Sequence, residues 1–244
     1  MAEIAASAAD FESLLRLGGF PEPFLGGSAT RAKRWSIDYR DRLLREDISV
    51  LESIHDLGSL ERLVLRLPEL VGSPLSVNSL REELQLNHQT VSRWLDILER
   101  MYAIFRVPPF GGPRIRAVKK AQKHYHFDWS LVPQESLRFE NLVASHLLKW
   151  VHFQRDTAGR SIDLRYFRDV DGREVDFVLV EGRDPILLVE CKWSEERIAP
   201  SLKYLSERYP MARAMQITAH GKRDVEISRR LRILPARKFL ATLF

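Results

Sequence analysis

The chain has 244 residues, 45% hydrophobic and 29% charged, a balance that suits a globular protein with a sizeable core and excludes a disordered or fibrous one. Its 38 bases outnumber 33 acids for a net charge of +5, a mild excess that favours an acidic partner such as nucleic acid. One cysteine, Cys191, excludes an intrachain disulfide. No apolar run approaches the roughly 18 residues a membrane span needs, and the N-terminus lacks the basic start and apolar core of a secretory signal. A cytoplasmic location is the expectation.

Taken in order, Ala9 to Leu17 reads as a short helix, which Gly18-Gly19-Phe20-Pro21 interrupts. Thr30 to Leu51 carries a long helical pattern with Trp35, Tyr39, Leu43 and Ile48 on one stripe. Leu57 to Leu70 is a further amphipathic helix. Asn78 to Leu84 and His88 to Met101 read as helix, tight turn, helix, with Asn78 or Ser79 capping the first. In the second, Val91, Leu95, Leu98 and Tyr102 form the expected buried stripe, which leaves Gln89, Thr90, Arg93 and Asp96 outward. Ala103 to Val107 and Ile115 to Val118 are expected to pair as a hairpin. Helix-turn-helix followed by a hairpin is a winged-helix layout. Gln89, Thr90 and Arg93 then stand where a recognition helix meets base edges. Arg114, Arg116, Lys119, Lys120 and Lys123 stand where a wing meets phosphates. The same layout also serves protein–protein contact, and both readings stay open.

Leu137 to Val151 is the first helix of the C-terminal part. Glu140 lies seven residues before Leu147 and so on the buried side of that helix. A carboxylate there needs a counter-charge or a metal; an ion pair with Arg165 would serve as well. Ser161 to Arg168 is a strand, and Asp169-Val170-Asp171-Gly172 its turn. Glu174 to Leu179 alternates in the period of a strand, with Asp176 and Val178 on one face. Ile186 to Lys192 is apolar until its end, as in a strand covered on both faces. Glu190 and Lys192 are two apart and share a face, while Cys191 points the other way. Helix Ala199 to Tyr209, strand Ala212 to Thr218 and a final stretch Val225 to Leu234 complete a mixed α/β arrangement. His124 and His126 lack partners at zinc spacing.

Asp176, Glu190 and Lys192 on neighbouring strands have the chemistry of a phosphodiester-cleaving site. Two carboxylates suffice for a hard dication, and an amine beside them can orient water or offset negative charge. The plainer reading, a solvated surface pair, fits poorly with Ile-Leu-Leu-Val running straight into Glu190.

Asp176 followed by Glu190-x-Lys192 resembles the PD-(D/E)XK nuclease signature. Gly172-Arg173-Glu174-Val175-Asp176-Phe177-Val178, Arg138-Phe139-Glu140-Asn141-Leu142-Val143, Gly18-Gly19-Phe20-Pro21-Glu22 and Lys120-x-x-Lys123-x-Tyr125-x-x-Asp128 resemble segments of a branch found C-terminal to AAA+ ATPase modules in bacteria and archaea. The resemblance implies a helical segment over residues 1–56, a winged-helix domain over 57–124, and a restriction-endonuclease-like mixed-sheet domain over 125–244. It implies Mg²⁺ or Mn²⁺ held by Glu140, Asp176 and Glu190, with Lys192 positioning the attacking water. DNA and an AAA+ ATPase module are the implied partners. No phosphate loop is present, so no ATP hydrolysis is expected of this chain. The functional expectation is a metal-dependent DNA nuclease-like half of an ATPase-type protein. Its alternatives are a non-catalytic DNA- or protein-binding module, or a regulatory segment for an ATPase.

Overall fold

The computed structural model describes residues 7–48, 56–111, 122–194 and 197–243. The fold is α/β, a helical N-terminal region followed by a mixed sheet. It divides into two compact units. The first comprises Glu12–Arg106 with Lys123–Arg138, and the second comprises Met1–Phe11, Val107–Gln122 and Phe139–Phe244.

The helical unit begins in α1 (Ala8–Leu17), followed by α2 (Pro21–Gly26) and α3 (Ala29–Arg42). The Gly-Gly-Phe-Pro stretch therefore leads into a helix and is not simply a loop. Pro21 sits at the first helical position, where its missing N–H costs nothing and its fixed φ favours the turn. Ser28 caps α3 by accepting from Arg31 N–H. A π-helical turn, Leu43–Ile48, follows it, and residues 49–51 of the expected helix lie outside the described residues. Next are α4 (Leu57–Arg66), a 3₁₀ turn at Leu67–Leu70 that contains Pro68, α5 (Val77–Leu84) and α6 (His88–Arg100). Leu60, Leu63, Val64, Leu80, Val91, Trp94, Leu95 and Leu98 form one apolar cluster among these helices.

Two sequence expectations change here. The cap of α5 is Ser76, which accepts from Ser79 N–H at 3.2 Å, because the helix starts before Asn78. Tyr102 is 68% exposed and Trp94 takes its place in the core. Helix α6 ends at Arg100, and Tyr102 has φ of +55°, so it has left the helical period. Strand β1 (Ile104–Val107) pairs with β2 (Lys123–His126). Residues 115–118 lie outside the described residues.

Residues 123–138 group with the helical unit, so the compact units divide near residue 138 rather than 124. Side-chain bonds hold that stretch in place. His124 Nε2 lies 2.9 Å from Leu67 O. Ser36 Oγ donates to Asp128 Oδ2 at 2.7 Å, and Trp129 Nε1 donates to Leu14 O at 2.9 Å.

The sheet unit takes most of α7 (Glu135–Ala158), then β3 (Ile162–Arg168), β4 (Glu174–Glu181), β5 (Asp184–Lys192), α8 (Pro200–Arg208), β6 (Arg213–Thr218), β7 (Val225–Ser228), β8 (Leu231–Pro235) and α9 (Ala236–Ala241). Six strands run in the order β3-β4-β5-β6-β8-β7. β3, β4 and β5 are antiparallel neighbours, β5-β6 and β6-β8 are parallel, and β7-β8 is antiparallel. The β3–β4 turn rests on Asp169, whose Oδ1 accepts from Asp171 and Arg173 N–H and whose Oδ2 accepts from Arg173 Nε. Helix α8 connects the parallel pair β5-β6 and buries Leu202 and Leu205 against Val178, Val180 and Leu188. Phe177, Leu179 and Val189, of the opposite parity, are also buried, so the sheet is covered on both faces.

Candidate functional site

The paired strands β4 and β5 bring Asp176, Glu190 and Lys192 together. Register pairs run from Glu181↔Asp184 to Phe177↔Val189 and stop there. One residue further, the Asp176 carboxylate replaces the backbone ladder, with Oδ2 accepting from Cys191 N–H at 2.8 Å. The ladder thus gives way to side-chain chemistry at the point where β5 turns polar.

Glu190 is 6% exposed, a burial that a carboxylate tolerates only with compensation. Lys192 Nζ lies 3.0 Å from its Oε1. Its Oε2 is buried without a hydrogen-bond partner. Burial first, and then the neighbouring charge of Asp176, push the Glu190 carboxyl up to about 8, with Lys192 pulling it back. A carboxylate pair in which one member resists ionisation, beside an amine, is a pattern typical of functional sites.

Strand β6 adds two groups that a reading of the sequence missed. In the parallel register Glu190 lies beside Gln216, and Lys192 beside Thr218. Both are fully buried. Gln216 Oε1 accepts from Ala199 N–H at 2.8 Å and its Nε2 donates to Arg197 O at 3.3 Å, fixing the approach to α8. Thr218 Oγ1, like Glu190 Oε2, has no hydrogen-bond partner. The signal for them was the alternation Ala214, Gln216, Thr218, but that pattern is silent about which strand lies alongside.

Glu140 does not complete the expected three-carboxylate set. Among the described residues no group of three or more His, Cys, Asp and Glu side chains is placed to hold a metal. Glu140 is buried on α7. Arg165, its expected alternative partner, bonds Asp163 at 2.9 Å. Helical period fixed the face of α7 that Glu140 occupies, but it sets no distance to β4 or β5. Two carboxylates remain. They fit a hard dication through their donor type and the partnerless Glu190 oxygen, since Mg²⁺ needs only one or two protein carboxylates.

On α6, Gln89 and Arg93 are exposed and Thr90 is half-buried. Asn87 caps the helix by accepting from Thr90 N–H at 2.7 Å. Asp96, on the same outward face, is tied to Arg106 Nη2 at 2.7 Å, and Glu99 also binds Arg106. Lys123 is 0% exposed, so it is no phosphate contact in this fold. Its place in β2 turns it inward, where a run of basic residues had implied a solvated face. Arg114, Arg116, Lys119 and Lys120 lie outside the described residues.

Cys191, the chain's single cysteine, is half-buried. No described helix is long and apolar enough to cross a membrane.

Neither a curated protein nor a solved structure matches the chain. Residues 137–239 match a family model described as a domain of unknown function, DUF4143, often found in proteins associated with AAA-type ATPases. Residues 8–141 match another, a domain of unknown function, DUF8612. The two matches overlap at residues 137–141, all within α7. With more than half of its length covered by the DUF8612 model, the chain belongs to that family.

Proposed function

We propose that the sheet unit is a metal-dependent, nuclease-like domain acting on DNA in company with an AAA+ ATPase, and that the helical unit supplies part of the grip. One observation carries this reading: Asp176, Glu190 and Lys192 meet at the ends of two adjacent strands, with a Glu190 oxygen buried and partnerless. The residue pattern and spacing resemble the PD-(D/E)XK signature.

Asp176 and Glu190 would hold the cation, Mg²⁺ or Mn²⁺. When bound, it offsets charge on a phosphoryl oxygen. Lys192 is held near the carboxylate pair by Glu190 and can orient a water or stabilise negative charge as it develops. Gln216 fixes the chain leading into α8, which keeps the β5–β6 edge of the site in place. On the helical unit, exposed Gln89 and Arg93 offer an amide and a guanidinium suited to base edges or phosphates.

A second reading is favoured by the absence of a third converging carboxylate among the described residues. There the same surface grips DNA or a protein without cutting. The experiment is incubation of plasmid and single-stranded DNA with Mg²⁺ or Mn²⁺, using wild type, Asp176→Ala and Lys192→Ala. Metal-dependent cutting lost in both variants supports hydrolysis. DNA retention without cutting, unchanged in both, supports the binding module. Absence of cutting and of retention, together with a stable complex with an AAA+ protein, supports a regulatory segment.

A further inference from the structure

Two rings stand just past the Asp176–Glu190–Lys192 cluster. Trp193 directly follows Lys192, and His220 lies two residues beyond Thr218. Backbone bonds carry the β5–β6 pairing past the regular strands to reach them. Ala219 N–H donates to Lys192 O at 3.0 Å, and His220 N–H donates to Trp193 O at 3.1 Å. The rings meet edge to face, with centroids 4.4 Å apart and planes at 78°. In that geometry the edge of one ring meets the face of the other. Trp193 is half-buried and His220 is exposed, so this pair is not a piece of the core. Lys222 and Arg223, both exposed, follow at once.

We infer that Trp193, with His220 set against it, is a stacking platform for an unpaired nucleobase, so that the site takes a single strand of nucleic acid in preference to a continuous duplex. The inference rests on the phosphodiester-cleaving reading of the neighbouring cluster. A base inside a duplex has both faces occupied by its neighbours, whereas a single strand offers a free π-face to an aromatic ring. Trp193 is one residue from Lys192, about 3.8 Å between Cα atoms. Lys222 and Arg223, exposed just past His220, add positive charge near this end of the sheet, which favours a nucleic-acid backbone.

The test uses the full chain in EDTA, where no cutting occurs, and reads anisotropy of a labelled oligothymidylate of about twenty nucleotides and of a duplex of equal length. The single strand is expected to bind at least about tenfold more tightly. Trp193→Ala should weaken single-strand binding roughly 5- to 150-fold and leave duplex binding unchanged. Trp193→Phe, which keeps a ring and the local packing, should stay within a few-fold of wild type. It should also lose most of the tryptophan quenching that the single strand produces. Equal affinity for the two nucleic acids, an unchanged Trp193→Ala, or full quenching in Trp193→Phe would each overturn the platform. Because binding is read without metal, its failure is separable from that of the nuclease reading. Cutting without strand preference removes only the platform, and strand preference without cutting removes only the hydrolysis.

Discussion

Lys192 Nζ lies 3.0 Å from one oxygen of Glu190, while the other oxygen of that carboxylate is buried outside hydrogen-bonding geometry. The two oxygens are unequally compensated. This imbalance is the kind of local cost that folded proteins carry where they do chemistry.

Glu190→Gln keeps the side chain's shape and removes its buried charge. In EDTA near pH 9, above the value to which burial and Asp176 raise this carboxyl, the variant should be more stable than wild type by about 1–3 kcal/mol, a rise of several degrees in melting temperature. Adding Mg²⁺ should raise the wild-type melting temperature and leave the variant where it was. Thermal scans with and without Mg²⁺ check both statements. A less stable variant in EDTA would show that the charge is better satisfied than the geometry indicates.

Acid should loosen the helical unit well before ordinary carboxylates titrate. Burial pulls His124 down to about 4 and His126 down to about 3, the latter with help from His124. Below pH 6.5 the unfolded chain therefore binds protons that the folded one refuses, and stability falls as pH falls from about 6.5 towards 4. The loss should reach about 3 kcal/mol or more across that window, since each tenfold difference in proton affinity between the folded and unfolded chains is worth about 1.4 kcal/mol. His146 in the sheet unit, also held near 4 by burial, follows the same rule. Urea unfolding between pH 7.5 and 4.5 measures it, and His126→Phe should flatten the slope.

Gly19→Ala should be costly although the residue lies outside regular structure. A Cβ at that position would meet the Trp129 ring, which is buried and anchored through its Nε1 to Leu14 O at 2.9 Å. Overpacking of this kind costs about 1–3 kcal/mol. Denaturant midpoints compared with a Gly27→Ala control, where the added atom meets nothing within 4 Å, separate the clash from the loss of glycine. Gly27 itself has a positive φ, so its own cost is one of backbone strain alone.

Asp128→Ala should unfold the helical unit at lower urea by about 2–4 kcal/mol. Its carboxylate is buried and accepts from Ser36 Oγ at 2.7 Å, Ser130 Oγ at 2.6 Å and Ser130 N–H at 3.1 Å. Removing it leaves two hydroxyls without their acceptor. Ser36→Ala removes only one donor and should cost about 1 kcal/mol.

Arg93→Ala should weaken DNA binding by the full chain and lower the steepness of its salt dependence by about one unit if the contact is to phosphate. If the contact is to a base edge, it should cost about 1–3 kcal/mol for one sequence and little for others. Filter binding across a salt series distinguishes the two, and no change for any sequence would remove α6 from the interface.

The strand pair carrying Asp176, Glu190 and Lys192 was legible because period-two alternation and a two-residue spacing are local properties. Their meeting follows from a short antiparallel hairpin. Gln216 and Thr218 were not legible, because a parallel neighbour reaches β5 only after a crossover through α8 that leaves no local mark. Tyr102 was misread because a helical stripe was continued past Arg100, where the backbone had already turned to positive φ. Lys123 was misread because composition says where charge occurs along the chain and not which way a strand residue faces. Glu140 shows the same limit in a helix, with its face fixed by periodicity and its reach to other segments left open.

Helix α7 begins in one compact unit and finishes in the other, and the stretch Val107–Gln122 leaves the helical unit before Lys123–Arg138 returns to it. Neither half can therefore be excised from the gene as a single uninterrupted piece. A cut at any one peptide bond strands part of one unit on the wrong fragment. Complementation between two separately expressed halves would have to be sought with an overlap, and the twenty-four residues of α7 are where that overlap belongs.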